Sequence, residues 1–213
     1  MPRILRVVTT ALALALLVAA PAGAGGPITD ANEGLLGGEA ITHWGLMPIP
    51  GAALALPTQP ECSRFRHAKI VAGKFQIGYA FEAAQNADGS RRLVESARLF
   101  PDTKHAAQFV DTFKLTKRYE LCLRAQYTLG SGMSNVTVSR LDLRIKHADA
   151  VVAYRVDATY PDLTPRHDVS AIVVFGRYEK LVSDLSFRAD TGGFAADQKY
   201  VVAEVRQRIA ILG

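Results

Sequence analysis

Two cysteines, Cys62 and Cys122, are the residues whose type and spacing predict chemistry most directly. In an oxidising compartment, an even number of cysteines is typical of a disulfide. The competing interpretations are a reactive thiol and a metal pair, but a metal would require further cysteines or clustered histidines. The histidines are instead scattered singly, as His43, His67, His105, His147 and His167. We therefore predict a structural Cys62–Cys122 disulfide, with no metal site and no cofactor.

Nucleophilic and metal-dependent catalysis leave recognisable motifs, and this sequence carries none of them. It contains no G-x-S-x-G elbow, no H-E-x-x-H metal helix, no S-x-x-K motif and no P-loop. His167 and Asp168 are adjacent, but neighbouring residues of a strand point to opposite faces and so do not form a dyad. We predict no catalytic residues and keep an unrecognised extracytoplasmic hydrolase as an alternative.

Paired carboxylates would suit glycoside hydrolysis, which uses two acids about 5 to 10 Å apart. Glu82 and Glu95 could face each other across a first hairpin, and Asp142 and Asp157 could do so across a second. No motif distinguishes these residues from ordinary surface acids on paired strands. We therefore assign them no catalytic role.

Basic and aromatic side chains suggest a different kind of site, which binds without breaking bonds. The segment 64–69 and the pair Arg91-Arg92 could form a patch for an anionic wall polymer or lipid headgroup. A solvated face balanced by acids is the favoured interpretation. Aromatic residues on alternating strands could line a groove, although core packing is commoner. The candidates are Tyr154, Tyr160, Phe175 and Tyr178.

The composition excludes several classes of protein. Of the 213 residues, 49% are hydrophobic and 21% are charged, which is normal for a globular domain and unlike a disordered chain. Lysine and arginine number 25 against 20 acids, a net charge of +5. Arg3 and Arg6 lie in the N-terminal leader, so the remaining excess is too small to indicate a nucleic-acid partner.

The N-terminus has the three-part pattern of a secretory signal peptide. A basic segment ends at Arg6, an uncharged run extends from Val7 to Ala20, and small residues follow at Ala22 and Ala24. The apolar run is shorter than the roughly 20 residues that span a bilayer. We predict a signal peptide over residues 1–24, cleaved after Ala24, and a secreted protein without stable membrane insertion.

Hydrophobic periodicity predicts a single domain over residues 61–213, preceded by an irregular Gly- and Pro-rich arm over residues 25–60. Trp44 is interpreted as a packing anchor for this arm. The predicted elements are a short helix over 32–36, a strand hairpin over 69–100, a helix over 104–119, strands over 136–145, 152–158, 169–175 and 180–187, and a C-terminal helix over 200–212.

This order of elements favours an α+β fold, an antiparallel sheet with two main helices packed on one face. Polar residues between the apolar positions of the strands indicate that the other face is solvated.

Five short segments follow one another in an order known from one family. They are Pro60-Glu61-Cys62, Ala97–Pro101, Ala106-Ala107-x-Phe109, Tyr119–Cys122 and the C-terminal Val201-Val202…Ile209. Together they resemble the extracellular sensor domain of mycobacterial PknH-type receptor kinases and related secreted actinobacterial proteins. In that family an aromatic residue lies three positions before the cysteine that ends the helix, and Tyr119 has this spacing to Cys122.

The resemblance implies a sensor-like domain with a groove between sheet and helix, an unidentified ligand and no catalytic machinery. We expect this groove between the helix 104–119 and the strands of 136–187, as a mostly apolar concavity. Kinase-linked members carry a second disulfide and a kinase, which this sequence lacks, so a freely secreted binding protein is expected. We expect a non-enzymatic domain that binds a small molecule, a lipid or an envelope glycan. The alternatives are the hydrolase and a cell-envelope protein-interaction module, and the sequence assigns no oligomeric state.

Overall fold

The computed structural model describes residues 30–35, 45–50, 52, 55–144, 148–160 and 167–190. Within these ranges the helices are α1 (Ser63–Phe75), α2 (Thr103–Phe113) and α3 (Thr116–Ala125). The strands are β1 (Met47–Pro48), β2 (Gly78–Gln85), β3 (Arg91–Leu99), β4 (Ser134–Leu141), β5 (Ala150–Tyr160), β6 (His167–Tyr178) and β7 (Leu181–Asp190). Short helical turns cover Ala31–Gly34, Pro60–Cys62 and Gln126–Gly130.

The strands belong to one antiparallel sheet in the order β1-β2-β3-β7-β6-β5-β4. β2 and β3 form a hairpin through the turn at residues 86–89. There Gly89 has a φ of 71°, which glycine adopts without strain. The helices α1, α2 and α3 form one layer, which packs against β5, β6 and β7 on one face of the sheet. The predicted α+β class, an antiparallel sheet with helices on one face, is confirmed.

Helix α2 begins at a capping residue and is shorter than predicted. The Asp102 carboxylate accepts a hydrogen bond of 2.8 Å from the backbone N–H of His105. The sequence predicted one helix over 104–119, but α2 ends at Phe113 and α3 begins at Thr116. Six further residues of straight helix would rotate Tyr119 about 120° away from the buried face of Phe113. The break corrects this rotation and places both rings in the same core.

Aromatic side chains between the helices and the sheet form the centre of the core. The ring of Phe113 stacks on that of Phe175, with centroids 3.9 Å apart. The rings of Tyr119 and Phe65 lie 5.2 and 5.7 Å from the Phe113 ring. Aromatic contacts of this kind add about 0.5 to 1.5 kcal/mol per pair beyond burial. The buried Tyr154 hydroxyl donates to the Phe113 carbonyl at 2.8 Å, which satisfies its polar end.

The second face of the sheet is also buried, contrary to the expectation of a solvated face. Leu93, Ile172 and Phe187 share this face in the register of β3, β6 and β7, and each is 0% exposed. Ala31 and Leu35 belong to a further buried cluster that includes residues of β2, β3 and β7. These are inner strands with apolar contacts on both faces. Burial alternates along the edge strand β4, where one face does meet solvent.

Helix α1 replaces part of the strand that the sequence predicted within 69–100. Near period-two spacing of Ile70, Phe75 and Ile77 suggested that strand, yet these side chains are 46, 50 and 63% exposed. Phe65 and Ala72 are the buried residues of α1, and their separation of two turns is helical. The strand prediction was wrong at this point because exposed apolar residues were interpreted as a buried face.

The later strands follow the sequence prediction with two differences. The strand predicted over 136–145 begins at Ser134 and ends at Leu141. The hairpin predicted around residues 176–178 turns at Glu179 and Lys180 instead, because Gly176 and Tyr178 remain paired within β6 and β7. Glu179 takes up the reversal with a φ of 48°.

Several sequence predictions lie outside the described residues. They are the signal peptide, the packing role of Trp44 and the C-terminal helix over 200–212. The division between an arm and a domain at residue 60 stays a prediction. In the described part of the chain, no helix has the length and apolar character needed to cross a membrane.

Candidate functional site

The disulfide joins the start of α1 to α3. The sulfurs of Cys62 and Cys122 are 2.10 Å apart, and their α-carbons are 4.6 Å apart. Cys62 ends the short turn that precedes α1, whereas Cys122 lies in the second half of α3. Both side chains are buried. The bond therefore fixes the position of residues 55–59, which immediately precede this turn, relative to α3.

A cavity of about 510 Å³ lies beside the disulfide, between the sheet and the helices. Its floor comes mainly from β2, β3 and β7, and its walls come from residues 55–59, Lys69 and the segment 119–133. The volume is within the range of about 300 to 1,000 Å³ that small-molecule sites occupy. The groove was predicted between the helix 104–119 and the strands of 136–187. That position was partly wrong, because β2 and β3 supply much of the floor.

The side chains of the floor lie in three rows, because directly paired residues of antiparallel strands share a face. Each row takes one residue from β2, one from β3 and one from β7. The rows are Gln85, Arg92 and Arg188; Ala83, Val94 and Ser186; and Phe81, Ser96 and Asp184. All of these residues except Gln85 line the cavity. Since a strand rises about 3.3 Å per residue, the first and third rows are about 13 Å apart.

An ion pair closes the third row. Lys69 Nζ lies 2.5 Å from Asp184 Oδ2, and the two side chains are only 14% and 9% exposed. The Lys69 ammonium is also 5.9 Å from the ring centre of Phe175, a cation–π distance. Because Lys69 compensates the carboxylate, this end of the cavity is polar without carrying a net charge.

Arg98 supports the floor from beyond the third row. Its guanidinium lies between the rings of Tyr79 and Phe109, 5.1 and 5.3 Å from their centres. Arg98 Nη1 donates to Ser96 Oγ at 3.0 Å. Burial raises the pKa of Tyr79, and the Arg98 charge partly offsets this effect. The two rings and the hydroxyl hold this nearly buried cation in one position, so that the third row has a rigid base.

Two tyrosines contribute neutral phenols to the wall. Burial raises the pKa of Tyr127 to about 12, although the Arg188 charge and a hydrogen bond with Ser186 act in the opposite direction. Burial also raises the pKa of Tyr119 well above its ordinary value, and the Asp184 charge adds to the shift. Both phenols therefore keep their protons near neutral pH, where they can donate hydrogen bonds but do not act as bases.

The first row carries two positive charges. Arg92 and Arg188 are direct partners in the register of β3 and β7. Arg188 donates to Tyr160 Oη and to the carbonyl of Gly89, both at 3.2 Å, and its Nε lies 3.5 Å from Asp190. Arg92 is exposed and forms no ion pair with any residue of the described ranges. Arg188 is thus held in place, whereas Arg92 has room to turn toward a ligand.

The carboxylate pairs considered from the sequence do not meet in this cavity. Glu82 and Glu95 are direct partners across β2 and β3. Glu95 is among the residues that line the cavity, but both side chains alternate with the residues of the floor and so belong to the other face of the sheet. Asp157 pairs with Thr137, whereas Asp142 follows the end of β4. The second pair is therefore not formed.

The basic and aromatic candidates separate onto different surfaces. Lys69 and Arg92 reach the cavity, whereas Arg91 alternates with Arg92 and belongs to the other face of β3. Arg64 lines a smaller groove of about 380 Å³ between α1 and α2. Among the aromatic residues, Tyr154 and Phe175 lie in the core, Tyr178 packs at its edge, and Tyr160 contacts Arg188.

Sequence reasoning missed the contribution of β7 to the cavity. Asp184, Ser186 and Arg188 alternate with Leu185 and Phe187, which are buried on the other face. Alternating polar residues inside an otherwise apolar strand were the available signal. No group of three histidine, cysteine or acidic residues that could hold a metal occurs among the described residues.

Comparisons with known proteins give a likeness of fold. No protein-family model matches the sequence, and no curated protein matches it. Among solved structures, the chain is similar to the extracellular domain of PknH from Mycobacterium tuberculosis, with a TM-score of 0.52 and 10% sequence identity. The similarity covers 86% of this chain and 97% of that domain. At 10% identity, this similarity shows a similar fold and nothing more. The sequence analysis expected a resemblance to this family, and the fold is the part of that expectation that is confirmed.

Proposed function

We propose that this protein is a secreted, non-catalytic, sensor-like domain that binds a small ligand in the cavity between the helices and β2, β3 and β7. The observation that carries the proposal is the polar floor. Charged side chains on a partly buried sheet face cost stability, and packing alone would favour apolar residues there. Charged rows retained beneath a cavity of about 510 Å³ are what a binding site requires.

The chemistry of the lining supports recognition over bond breaking. Asp184 is already engaged by Lys69, and the raised pKa values of Tyr119 and Tyr127 keep both phenols protonated near neutral pH. Neither phenol is therefore a base near neutral pH, and the Asp184 carboxylate is occupied by its ion pair. They are suited to hydrogen bonding and to charge complementarity.

Three observations support an extracytoplasmic location. The leader has the pattern of a signal peptide, Cys62 and Cys122 form a disulfide, and such bonds persist in oxidising compartments. The similar solved structure is described as an extracellular domain. The secreted, disulfide-bonded form is therefore the one to test.

Native mass spectrometry of protein collected from the medium of its host tests the proposal. The informative variant is Val94→Phe, which places a ring on the middle row of the floor. Thr137→Phe is the matched control, because Thr137 is exposed on β4, at the opposite edge of the sheet. We expect a small-molecule adduct on the wild type and on T137F that is absent from V94F.

The proposal would be overturned if the secreted wild type carried no adduct and no component of an envelope extract raised its melting temperature. Conversion of a bound compound to product by substoichiometric protein would contradict the non-catalytic part alone.

A further inference from the structure

We infer that the ligand is a single-chain anionic amphiphile, with its carboxylate or phosphate bound by Arg92 and Arg188 and its apolar body lying over Ala83 and Val94. This inference rests on the proposed function and adds the chemical class of the ligand. It follows from the order of charges and apolar groups along the floor of the cavity.

The paired arginines are the first step in the argument. Like charges directly opposite each other on neighbouring strands destabilise a sheet, and Arg92 and Arg188 occupy such a position. Asp190 lies 3.5 Å from Arg188 and compensates one charge. No described residue forms an ion pair with Arg92. A bound anion would remove this unfavourable pairing, and guanidinium groups match carboxylate and phosphate oxygens in bidentate geometry.

Arg188 is prepared for such a contact. Its hydrogen bonds to Tyr160 and to the carbonyl of Gly89 use two of the five N–H groups of a guanidinium. The remaining donors can still reach a ligand, while the existing bonds fix the plane of the group. Fixing a binding group in advance reduces the entropy that is lost when the ligand binds.

The middle of the cavity is suited to an apolar chain. The second row of the floor consists of Ala83, Val94 and Ser186, which are small enough to leave space above them. Leu56, Pro57 and Met133 also line the cavity. An apolar segment of the ligand that covers these side chains would be removed from water together with them, which favours binding in proportion to the apolar area buried.

The far end of the cavity argues against a second charged group on the ligand. Lys69 and Asp184 compensate each other about 13 Å from the arginine row. Because these two charges compensate each other, this end of the cavity suits an uncharged, apolar terminus of the ligand. The ligand that matches both ends carries one anionic group.

Isothermal titration calorimetry of the secreted, disulfide-bonded protein tests the inference with four probes. Octanoate and octyl phosphate carry the predicted anion and chain, octanol carries the chain alone, and inorganic phosphate carries the anion alone. We expect both octyl anions to bind at least about tenfold more tightly than octanol, since a hydrogen bond to a charged group contributes that much or more. Octyl phosphate should also bind at least about tenfold more tightly than inorganic phosphate, because only octyl phosphate buries an apolar chain.

The variant Arg92→Gln should lower the affinity for both octyl anions about tenfold without changing the affinity for octanol. Arg91→Gln is the matched control, since Arg91 precedes Arg92 on β3 and its side chain belongs to the other face. Arg188→Lys keeps the positive charge but loses the planar guanidinium that binds two oxygens at once. This variant should also lower the affinity for octanoate.

Each remaining outcome is decisive. Equal affinities for octanol and octanoate, or equal effects of R91Q and R92Q, would overturn the inference. Inorganic phosphate that binds as tightly as octyl phosphate would identify a site for a free oxyanion and would overturn the amphiphile. If no probe binds but the secreted protein carries a different adduct, the inference fails and the proposed function stands. If no probe binds and the secreted protein carries no adduct, the inference and the proposed function both fail.

Discussion

Lys69 of α1 and Asp184 of β7 are 115 residues apart in the sequence, and their charged atoms lie 2.5 Å apart in the structure. The contact joins the helical layer to the sheet at the closed end of the cavity. Both side chains are largely removed from water, so each charge depends on the other for compensation. The contact also requires α1 to be a helix, because Lys69 then lies one turn from the buried Phe65.

Loss of one partner of this ion pair should therefore destabilise the protein. We expect Asp184→Asn to lower the free energy of unfolding by about 2 kcal/mol, somewhat less than for fully buried pairs, because Lys69 would be left uncompensated. Asp111→Asn is the control, since the Asp111–Lys114 pair is 59% and 44% exposed, and it should cost less than about 1 kcal/mol. Urea unfolding measures the free energy of unfolding of both variants. Equal losses in D184N and D111N would show that burial of the Lys69–Asp184 pair does not matter.

The disulfide should make a large contribution to stability. Cys62 and Cys122 close a loop of 60 residues, and cross-linking a loop of this size removes denatured-chain entropy equivalent to about 4 kcal/mol. The double variant Cys62→Ser/Cys122→Ser should lose about 2 to 5 kcal/mol on unfolding in urea. Wild-type protein unfolded in the presence of a reductant should show the same loss. An unchanged urea midpoint in both samples would refute a stabilising role.

The hydroxyl of Tyr154 should stabilise the folded protein through its hydrogen bond at the end of α2. It donates to the carbonyl of Phe113 at 2.8 Å in the buried core, so Tyr154→Phe leaves that carbonyl without this donor. We expect a loss of about 1 to 3 kcal/mol in the free energy of unfolding. The aromatic packing should be retained, so the near-ultraviolet circular dichroism should hardly change. A variant as stable as the wild type would show that water replaces the hydroxyl.

Alkaline titration should separate Tyr127 from exposed tyrosines. Its pKa is about 12 in the folded protein and about 10 in an unfolded chain. A raised pKa means that the folded state favours the protonated phenol, so this stabilisation is complete below pH 10 and is lost as the pH rises from about 10 to about 12. Comparison of phenolate absorbance in the wild type and Tyr127→Phe isolates this group. Ionisation of Tyr127 near pH 10 in folded protein would contradict the assignment.

The sequence predicted those parts of the fold in which local pattern and tertiary packing agree. The sequence predicted a helix from residue 104, and α2 begins at Thr103. The strands β5, β6 and β7 were predicted as well, because long apolar segments bounded by turn residues leave few alternatives. Pattern and packing disagree at α1, where Ile70 and Phe75 are exposed. There the apolar spacing predicted a strand that does not form.

The candidate cavity could be predicted only in outline. A groove between sheet and helix followed from the resemblance, but its charged rows depend on the register between β3 and β7. Arg92 and Arg188 lie on strands that are not consecutive in the chain, so no local pattern pairs them. The same is true of Lys69 and Asp184. Pairs of this kind are set by topology, which a single sequence specifies only through the complete fold.

The most direct test of a ligand-binding cavity is a crystal structure of the protein purified from its own culture medium. We predict continuous density above Val94 that does not belong to the chain, with its polar end at Arg92 and Arg188. A cavity filled by the protein's own side chains, with Arg92 turned away from Arg188, would contradict the account.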